Sequence, residues 1–116
     1  MTDETTEFFE SLRRRGHDPL LRHVTGTVAF DLRNGHSDKW SLAIDKGDLA
    51  VTRAARKADS TLRADKALFE KILRGEVHAL AAVLRGEVTV EGDPELLLMF
   101  QRLLPAPERA TVAGNA

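Results

Sequence analysis

Residues 64–105 read ADKALFEKILRGEVHALAAVLRGEVTVEGDPELLLMFQRLLP. This stretch holds two apolar segments separated at Gly75, a short strand-like segment between Gly86 and Gly92, and a last apolar segment that opens at Asp93. Glycine commonly ends a helix because it adopts positive φ without a steric penalty. The stretch therefore predicts two short helices, one strand and a final helix, in that order.

The final helix, predicted over residues 93–104, carries the widest apolar stripe in the chain. Asp93 and Pro94 supply an N-cap and the proline that is favoured at the first helical position. Leu98 projects alone from the far side, whereas the other apolar side chains fall within an arc of about 160°. That arc holds Leu96, Leu97, Met99, Phe100, Leu103 and Leu104. We expect this stripe to exceed what one small sheet can cover.

Two shorter helices are predicted before it. Asp65 would cap the first, which turns one apolar face to the sheet through Leu68, Phe69, Ile72 and Leu73. The segment 77–84 is apolar almost all round, and we expect neighbours to cover most of it, with Val77, Leu80, Ala81 and Leu84 sharing one face. His78 on this segment is either a donor to a ligand or, as is more usual, a hydrogen-bonded histidine at the solvent edge.

The amino-terminal half predicts one helix and then a sheet. Residues 3–15 form a helix that Gly16 ends, and its terminal arginines 13–15 complement the helix dipole or, alternatively, attract anionic lipid headgroups. Apolar and polar residues then alternate, with turn signals at Asn34-Gly35 and at residues 45–48. The predicted strands are 24–33, 40–45, 49–52, 60–62 and 87–91, and the basic residues 53–57 form a solvated loop.

This order of elements predicts an α+β fold. A five-stranded, mainly antiparallel sheet would be covered by helices on one face, because no alternating parallel crossover units are visible. The 116 residues suit a single domain spanning 1–116, with residues 110–116 as a poorly ordered tail.

Composition argues against several classes of protein. A formal charge of −1 gives no basic surface for nucleic acid, and the lack of cysteine excludes disulfides, thiolate zinc sites and cysteine nucleophiles. The acidic opening MTDETTEFFE does not resemble a signal peptide, so we expect a cytoplasmic protein. Arginine outnumbers lysine 12 to 5, which indicates a bacterial source with a GC-rich genome.

Catalytic and metal-binding patterns are also missing from the sequence. The four histidines, His17, His23, His36 and His78, have no metal-ligand spacing, and no serine follows a glycine elbow. Gly86 and Gly92 flank a strand and cannot form a phosphate-binding loop. We therefore predict no catalytic residue, no metal, no cofactor and no enzymatic activity.

Three segments resemble the sterol carrier protein type 2 family, which comprises small lipid-binding domains. They are residues 40–44 (WSLAI) with Gly47, residues 58–62 (ADSTL) leading to Asp65, Phe69 and Gly75, and residues 84–93 (LRGEVTVEGD). The resemblance covers roughly residues 25–104. It implies a hydrophobic tunnel between sheet and helices that takes fatty acids, acyl-CoAs, sterols or other lipids.

Three hypotheses follow, the first being non-enzymatic lipid carriage with transient contact at a membrane surface. Its ligand-binding residues would come from Trp40, Phe69, Val77, Leu80, Leu84, Leu97, Met99, Phe100 and Leu103. The second is an interaction module that uses the same apolar helix in a homodimer or against a partner enzyme. The third, an enzyme acting on acyl substrates, requires His78 or His23 to lie buried beside a serine or carboxylate.

Overall fold

A hairpin of two nine-residue strands forms the centre of the sheet. The computed structural model describes residues 3–100 and 103–104, without the side chains of residues 94, 97 and 100. Strand β1 (Thr25–Arg33) pairs antiparallel with β2 (Ser37–Asp45) along its whole length. The predicted turn is at the right place but is one residue longer than Asn34-Gly35, because Arg33 pairs with Ser37 and residues 34–36 form the loop. Gly35 takes positive φ there, whereas Asn34 does not.

Three further strands complete the sheet in the order β3-β2-β1-β4-β5. Strand β3 (Asp48–Thr52) pairs antiparallel with β2, β4 (Ser60–Asp65) pairs parallel with β1, and β5 (Thr89–Gly92) pairs antiparallel with β4. The prediction of a five-stranded, mainly antiparallel sheet is confirmed. The parallel pair was not foreseen; it arises because the chain between β3 and β4 crosses from one edge of the hairpin to the far side of β1.

Four α-helices accompany the sheet within the described residues: α1 (Glu4–Arg15), α2 (Lys66–Leu73), α3 (Ala79–Leu84) and α4 (Pro94–Phe100). A 3-10 turn, Pro19–Leu21, follows α1. Among the helices that the structure describes, none has the length and apolar character to cross a bilayer. The predicted extension of α4 to residue 104 cannot be followed, since residues 101–102 lie outside the described part, as does the predicted tail at 110–116.

The helix ends follow the local sequence signals in most cases. The Asp3 carboxylate accepts a hydrogen bond from Thr6 N at 2.8 Å, and Gly16 ends α1 with φ of 69°. Asp65 does occupy the N-cap position of α2, but its side chain makes no capping hydrogen bond. The predicted side-chain cap is therefore wrong for this helix, although its position is right.

One face of the sheet and the helices enclose the core. Alternate residues Val28, Phe30 and Leu32 of β1 are buried, as are Trp40, Leu42 and Ile44 of β2. They pack in one cluster with side chains of three helices, namely Phe9, Leu12, Phe69 and Leu96. The prediction that the helices cover one face is confirmed.

Gly92 joins β5 to α4 where two stretches of backbone nearly touch. Its φ is 92°, and a Cβ added there would lie 2.2 Å from the carbonyl oxygen of Asp59. Gly35 has a similar φ of 82° but no atom within 4 Å of such a Cβ. Gly35 is thus a natural control that shares the backbone conformation without the crowding.

We predict that Gly92→Ala lowers the free energy of unfolding by more than about 3 kcal/mol, because backbone must move apart. Gly35→Ala should lower the free energy of unfolding by only about 1–2 kcal/mol, because alanine is disfavoured in the left-handed conformation. Urea unfolding followed by circular dichroism measures both. Equal losses in the two variants would show that the close approach at Gly92 is not a constraint.

Candidate functional site

Within the described part of the chain, Phe8, Phe9, Phe30, Trp40 and Phe69 form one packed aromatic cluster in the helix–sheet layer. Phe9 of α1 stacks on Trp40 of β2, with ring centroids 4.5 Å apart and an interplanar angle of 12°. Phe69 of α2 stacks on Phe9 at 6.1 Å, and Phe30 of β1 meets Phe9 edge-on at 5.0 Å. Trp40 and Phe69, two of the predicted ligand-binding residues, are each only 1% exposed. Both belong to a filled part of the core.

Trp40 has two polar features in addition to its aromatic packing. The guanidinium carbon of Arg53 lies 4.8 Å from the centroid of the indole ring, within cation–π range. The indole Nε1–H is buried and has no acceptor among the residues that the structure describes. A buried donor without an acceptor is unusual in a folded protein.

A second, smaller cluster lies where α2 and α3 meet the β4–β5 edge. Only Ile72, Ala82 and Val88 are buried there among the described residues. Apolar side chains that are merely half-buried surround them: Leu62, Ala64, Leu68, Val77, Ala79, Val83, Val90 and Leu104. Half-buried apolar side chains therefore outnumber buried ones by eight to three here, whereas the main core has thirteen buried side chains and eight half-buried ones among the described residues.

Helix α3 turns its small residues inward and its leucines outward. Leu80 is 41% exposed and Leu84 is 79% exposed, whereas Ala82 is buried. The expectation that most of this segment is covered is wrong, because the helix begins at Ala79 and its inner face is not the predicted one. As residues i and i+4, the two leucines form one exposed stripe.

The remaining predicted residues come from the last helix and the residues after it. Met99 packs against the main core cluster between the sheet and the helices, and Leu103 is buried within that core. Leu98 is exposed, in agreement with its predicted isolation from the stripe. The side chains of Leu97 and Phe100 lie outside the described part of the chain.

Helix α4 approaches the sheet where β1 has no side chain. A Cβ added at Gly26 would lie 2.9 Å from a methyl carbon of Leu96 and 3.3 Å from the Asp59 carboxylate. That carboxylate accepts a hydrogen bond from Thr27 N at 2.9 Å. Gly26 therefore allows Leu96 to pack closely against the start of β1.

The histidines that the enzyme hypothesis needs are not buried. His78 caps α3, since its Nδ1 lies 3.2 Å from Leu80 N, and its side chain is exposed. His23 is exposed as well. Neither histidine meets the requirement for a general base beside a buried serine or carboxylate, and His78 has the ordinary hydrogen-bonded role.

A polar cavity of about 280 Å³ lies at the hairpin end of the layer. Its lining residues come from four places in the chain and are Asn34, His36, Ser37, Asp38, Arg53 and Lys66. Asp38 Oδ2 lies 3.0 Å from Lys66 Nζ, and Asp38 Oδ1 lies 3.3 Å from Arg53 Nη2. Lys66 Nζ also bonds Asp3 Oδ2 at 2.5 Å. The cavity is thus bordered by a chain of alternating charges.

Sequence reasoning missed this cavity and assigned Arg53 to a solvated loop. The turn at residues 45–48 already held part of the signal, because its register pairs Ser41 with Thr52 and so sets Trp40 opposite Arg53. The arrival of Lys66 from the start of α2 depends on the long crossover. No local pattern indicates it.

The charge network changes the protonation behaviour of two of its members. The hydrogen bond from Lys66 is the main reason that the pKa of Asp3 falls to about 2. Burial alone would lower the pKa of Lys66, but its bonds to Asp3 and Asp38 outweigh burial and raise it. Lys66 is therefore firmly charged at neutral pH.

Comparison with known proteins places this geometry in a described family. Residues 8–105 match the SCP-2 sterol transfer family. Hydroxysteroid dehydrogenase-like protein 2 of Xenopus laevis is 26% identical over 100 residues, which cover 84% of this chain and 24% of that protein. The chain therefore spans about a quarter of the length of the curated relatives it matches.

Solved structures share the fold. The sterol carrier protein-2 of Aedes aegypti in complex with palmitate has a TM-score of 0.69 and 22% identity, covering 90% of this chain and 100% of that chain. A double mutant of the sec-alkyl sulfatase PisA1 has a TM-score of 0.74 and 21% identity, covering 90% of this chain and 17% of that one. At such identities the likeness shows the fold alone.

The lowered pKa of Asp3 predicts a pH-dependent contribution to stability. A carboxylate that is more acidic in the folded state stabilises it above the unfolded pKa of 3.8, and the effect is lost as pH falls towards about 2. We predict that Asp3→Asn, which keeps a capping oxygen, lowers stability at pH 6 by less than about 1 kcal/mol, because the carboxylate is 42% exposed.

The difference in melting temperature between wild type and Asp3→Asn should shrink steadily from pH 4 downwards. Asp65→Asn is the matched control, because Asp65 holds the same position on α2 without a capping bond. If the wild type still melts above Asp3→Asn by the same margin at about pH 2.5, the result would contradict a role for the Asp3 charge.

Proposed function

The chain belongs to the SCP-2 sterol transfer family, and from that premise we propose that it binds or carries a hydrophobic ligand without catalysing a reaction. The ligand would be a fatty acid, an acyl-CoA, a sterol-like molecule or another lipid. The fold supports this proposal, because the palmitate-bound Aedes aegypti protein shares it over its whole length. We place this activity in the cytoplasm, with transient contact at a membrane surface.

The observation that carries the proposal is the incomplete cover of the second cluster. Three buried side chains there stand among eight half-buried apolar ones, and the exposed Leu80 and Leu84 lie on the adjoining helix. Water in contact with this much apolar surface is unfavourable at about 25 cal/mol per Å². A lipid chain that covered the cluster would gain that free energy.

The gain is large enough for useful affinity. An acyl chain of 16 carbons, the length of palmitate, contributes about 12 kcal/mol gross at about 0.8 kcal/mol per CH₂. Loss of translational and rotational freedom and the ordering of the chain consume several kcal/mol of this. Micromolar binding therefore needs no charged clamp.

We propose that the ligand contacts Val77, Leu80 and Leu84 first. Met99 and Leu103, together with Leu97 and Phe100, would extend the apolar wall along the last helix. Trp40 and Phe69 would form the rigid floor behind that wall, because the stacked aromatic rings leave them 1% exposed.

A second candidate function is an interaction module. Leu80, Leu84 and Leu98 are exposed leucines on α3 and α4, and such side chains suit a homodimer or a partner enzyme. The longer relatives favour this reading, since the matched region is 24% of a dehydrogenase-like protein and 17% of a sulfatase. Light scattering over a range of concentrations separates a monomeric carrier from a dimer.

We predict that Leu80→Gln/Leu84→Gln weakens uptake of a fluorescent C16 fatty acid about 30-fold. Glutamine preserves helix propensity and removes two apolar side chains, each worth roughly 1 kcal/mol when only partly covered. Energy transfer from Trp40, the single tryptophan, to the bound probe measures the dissociation constant.

Leu20→Gln is the matched control, because Leu20 is 59% exposed and lies on the 3-10 turn after α1. It should bind as the wild type does. Equal binding by all three proteins would exclude the α3 leucines from the ligand site, and delipidated wild type that takes up no fatty acid would refute lipid carriage.

A further inference from the structure

The polar cavity at the hairpin end has the composition of an anion site. Five of its six lining residues, all except Asp38, offer hydrogen-bond donors. Within residues 3–100 and 103–104, the side chains of Asn34, His36 and Ser37 have no hydrogen-bond partner of their own. These three side chains are exposed to solvent, so their donors are available to a ligand that enters the cavity.

Asp38 holds the two cations in place. Its side chain is about nine-tenths buried and lies between Lys66 Nζ and the Arg53 guanidinium. The guanidinium of Arg53 also makes a cation–π contact with the ring of Trp40. A guanidinium fixed by a carboxylate and an aromatic ring loses little freedom on binding and still has N–H groups that Asp38 does not use.

The local charges set the expected strength of binding. Arg53 and Lys66 are balanced by Asp38 and Asp3, so attraction comes from directed donors and not from excess charge. Helix α2 begins at Lys66, and the side chain of Asp65 leaves its first-turn N–H groups uncapped. These groups add a partial positive charge to the same region.

We propose that this cavity binds an oxyanion, such as a phosphate or carboxylate group, between Arg53 and Lys66. The volume of about 280 Å³ exceeds what one inorganic phosphate needs, so a small phosphomonoester fits as well. The oxyanion is either a free molecule or the headgroup of a lipid. The proposal rests on the cavity and does not require the lipid site at α3.

The test is a titration of the whole chain with inorganic phosphate at constant ionic strength, followed by the amide NMR signals of Asn34, His36 and Ser37. We expect saturation with a dissociation constant of about 1–10 mM, a free energy near −4 kcal/mol at 1 mM. Arg53→Gln should weaken binding about 10-fold or more, because it removes a charge-assisted donor.

Arg56→Gln is the matched control, since it makes the same charge change three residues away and does not line the cavity. It should bind phosphate as the wild type does. Equal losses in both variants, or a wild type that shows no saturable shift of these amides, would overturn the proposal. Ser37→Ala, at an exposed position, tests the cavity independently of Arg53 and should weaken binding about two- to threefold.

A second arm separates the two sources of the oxyanion. Palmitoyl lysophosphatidate and monopalmitoylglycerol share one acyl chain and differ in the phosphate. If the wild type binds the phosphorylated lipid more tightly than monopalmitoylglycerol, and Arg53→Gln abolishes that difference in affinity, the cavity is a headgroup site. If the wild type binds inorganic phosphate but has the same affinity for both lipids, the cavity is a site for free oxyanions. Loss of fatty-acid uptake with intact phosphate binding would count against lipid carriage alone.

Discussion

Phe9 stacks on Trp40 across the interface between α1 and the sheet, and the remaining layers are arranged around that contact. Phe69 of α2 and Phe30 of β1 both pack on Phe9, so four elements share one aromatic centre. Phe9, Phe30, Trp40 and Phe69 are each at most 1% exposed, so these large rings fill the middle of this half of the interface. Such packing fixes α1 and α2 against the sheet and leaves little freedom for a ligand there.

The other half of the interface is built from smaller side chains. Ile72, Ala82 and Val88 form a thin core, and α3 is only six residues long. A short helix with alanines inward stabilises its surroundings weakly, and its leucines remain exposed. The aromatic half is rigid and the aliphatic half is thin. A hydrophobic ligand can therefore displace side chains in the aliphatic half with a smaller loss of packing free energy. The polar cavity lies at the hairpin end, beside Arg53 on the Trp40 ring.

Local sequence signals predicted most of the helices and strands, but not the pairing of the strands or the contacts between elements. Gly35 and Gly16 take positive φ, so the first hairpin and the end of α1 could be placed from the sequence. The predicted inner face of α3 is wrong, because Ala82 is buried while Leu80 and Leu84 are exposed. His78 caps the helix, so Val77 lies before it. The parallel pairing of β1 with β4, and the meeting of Asp38 with Lys66, depend on a crossover whose path no short pattern encodes. The sequence therefore indicated an apolar surplus but placed it on residues 93–104, where the structure buries Leu96 and Leu103. The incompletely covered apolar surface lies instead where α2 and α3 meet the β4–β5 edge.

Methyl NMR of the delipidated chain during a palmitate titration tests the division of the interface most directly. If the thin aliphatic half receives the ligand, the largest shifts fall on the methyl groups of Ile72, Val77 and Val88, while those of Val28 and Leu42 beside the aromatic rings scarcely move. Shifts centred on Val28 and Leu42, or no saturable shift in either half, would contradict this division and the lipid site derived from it.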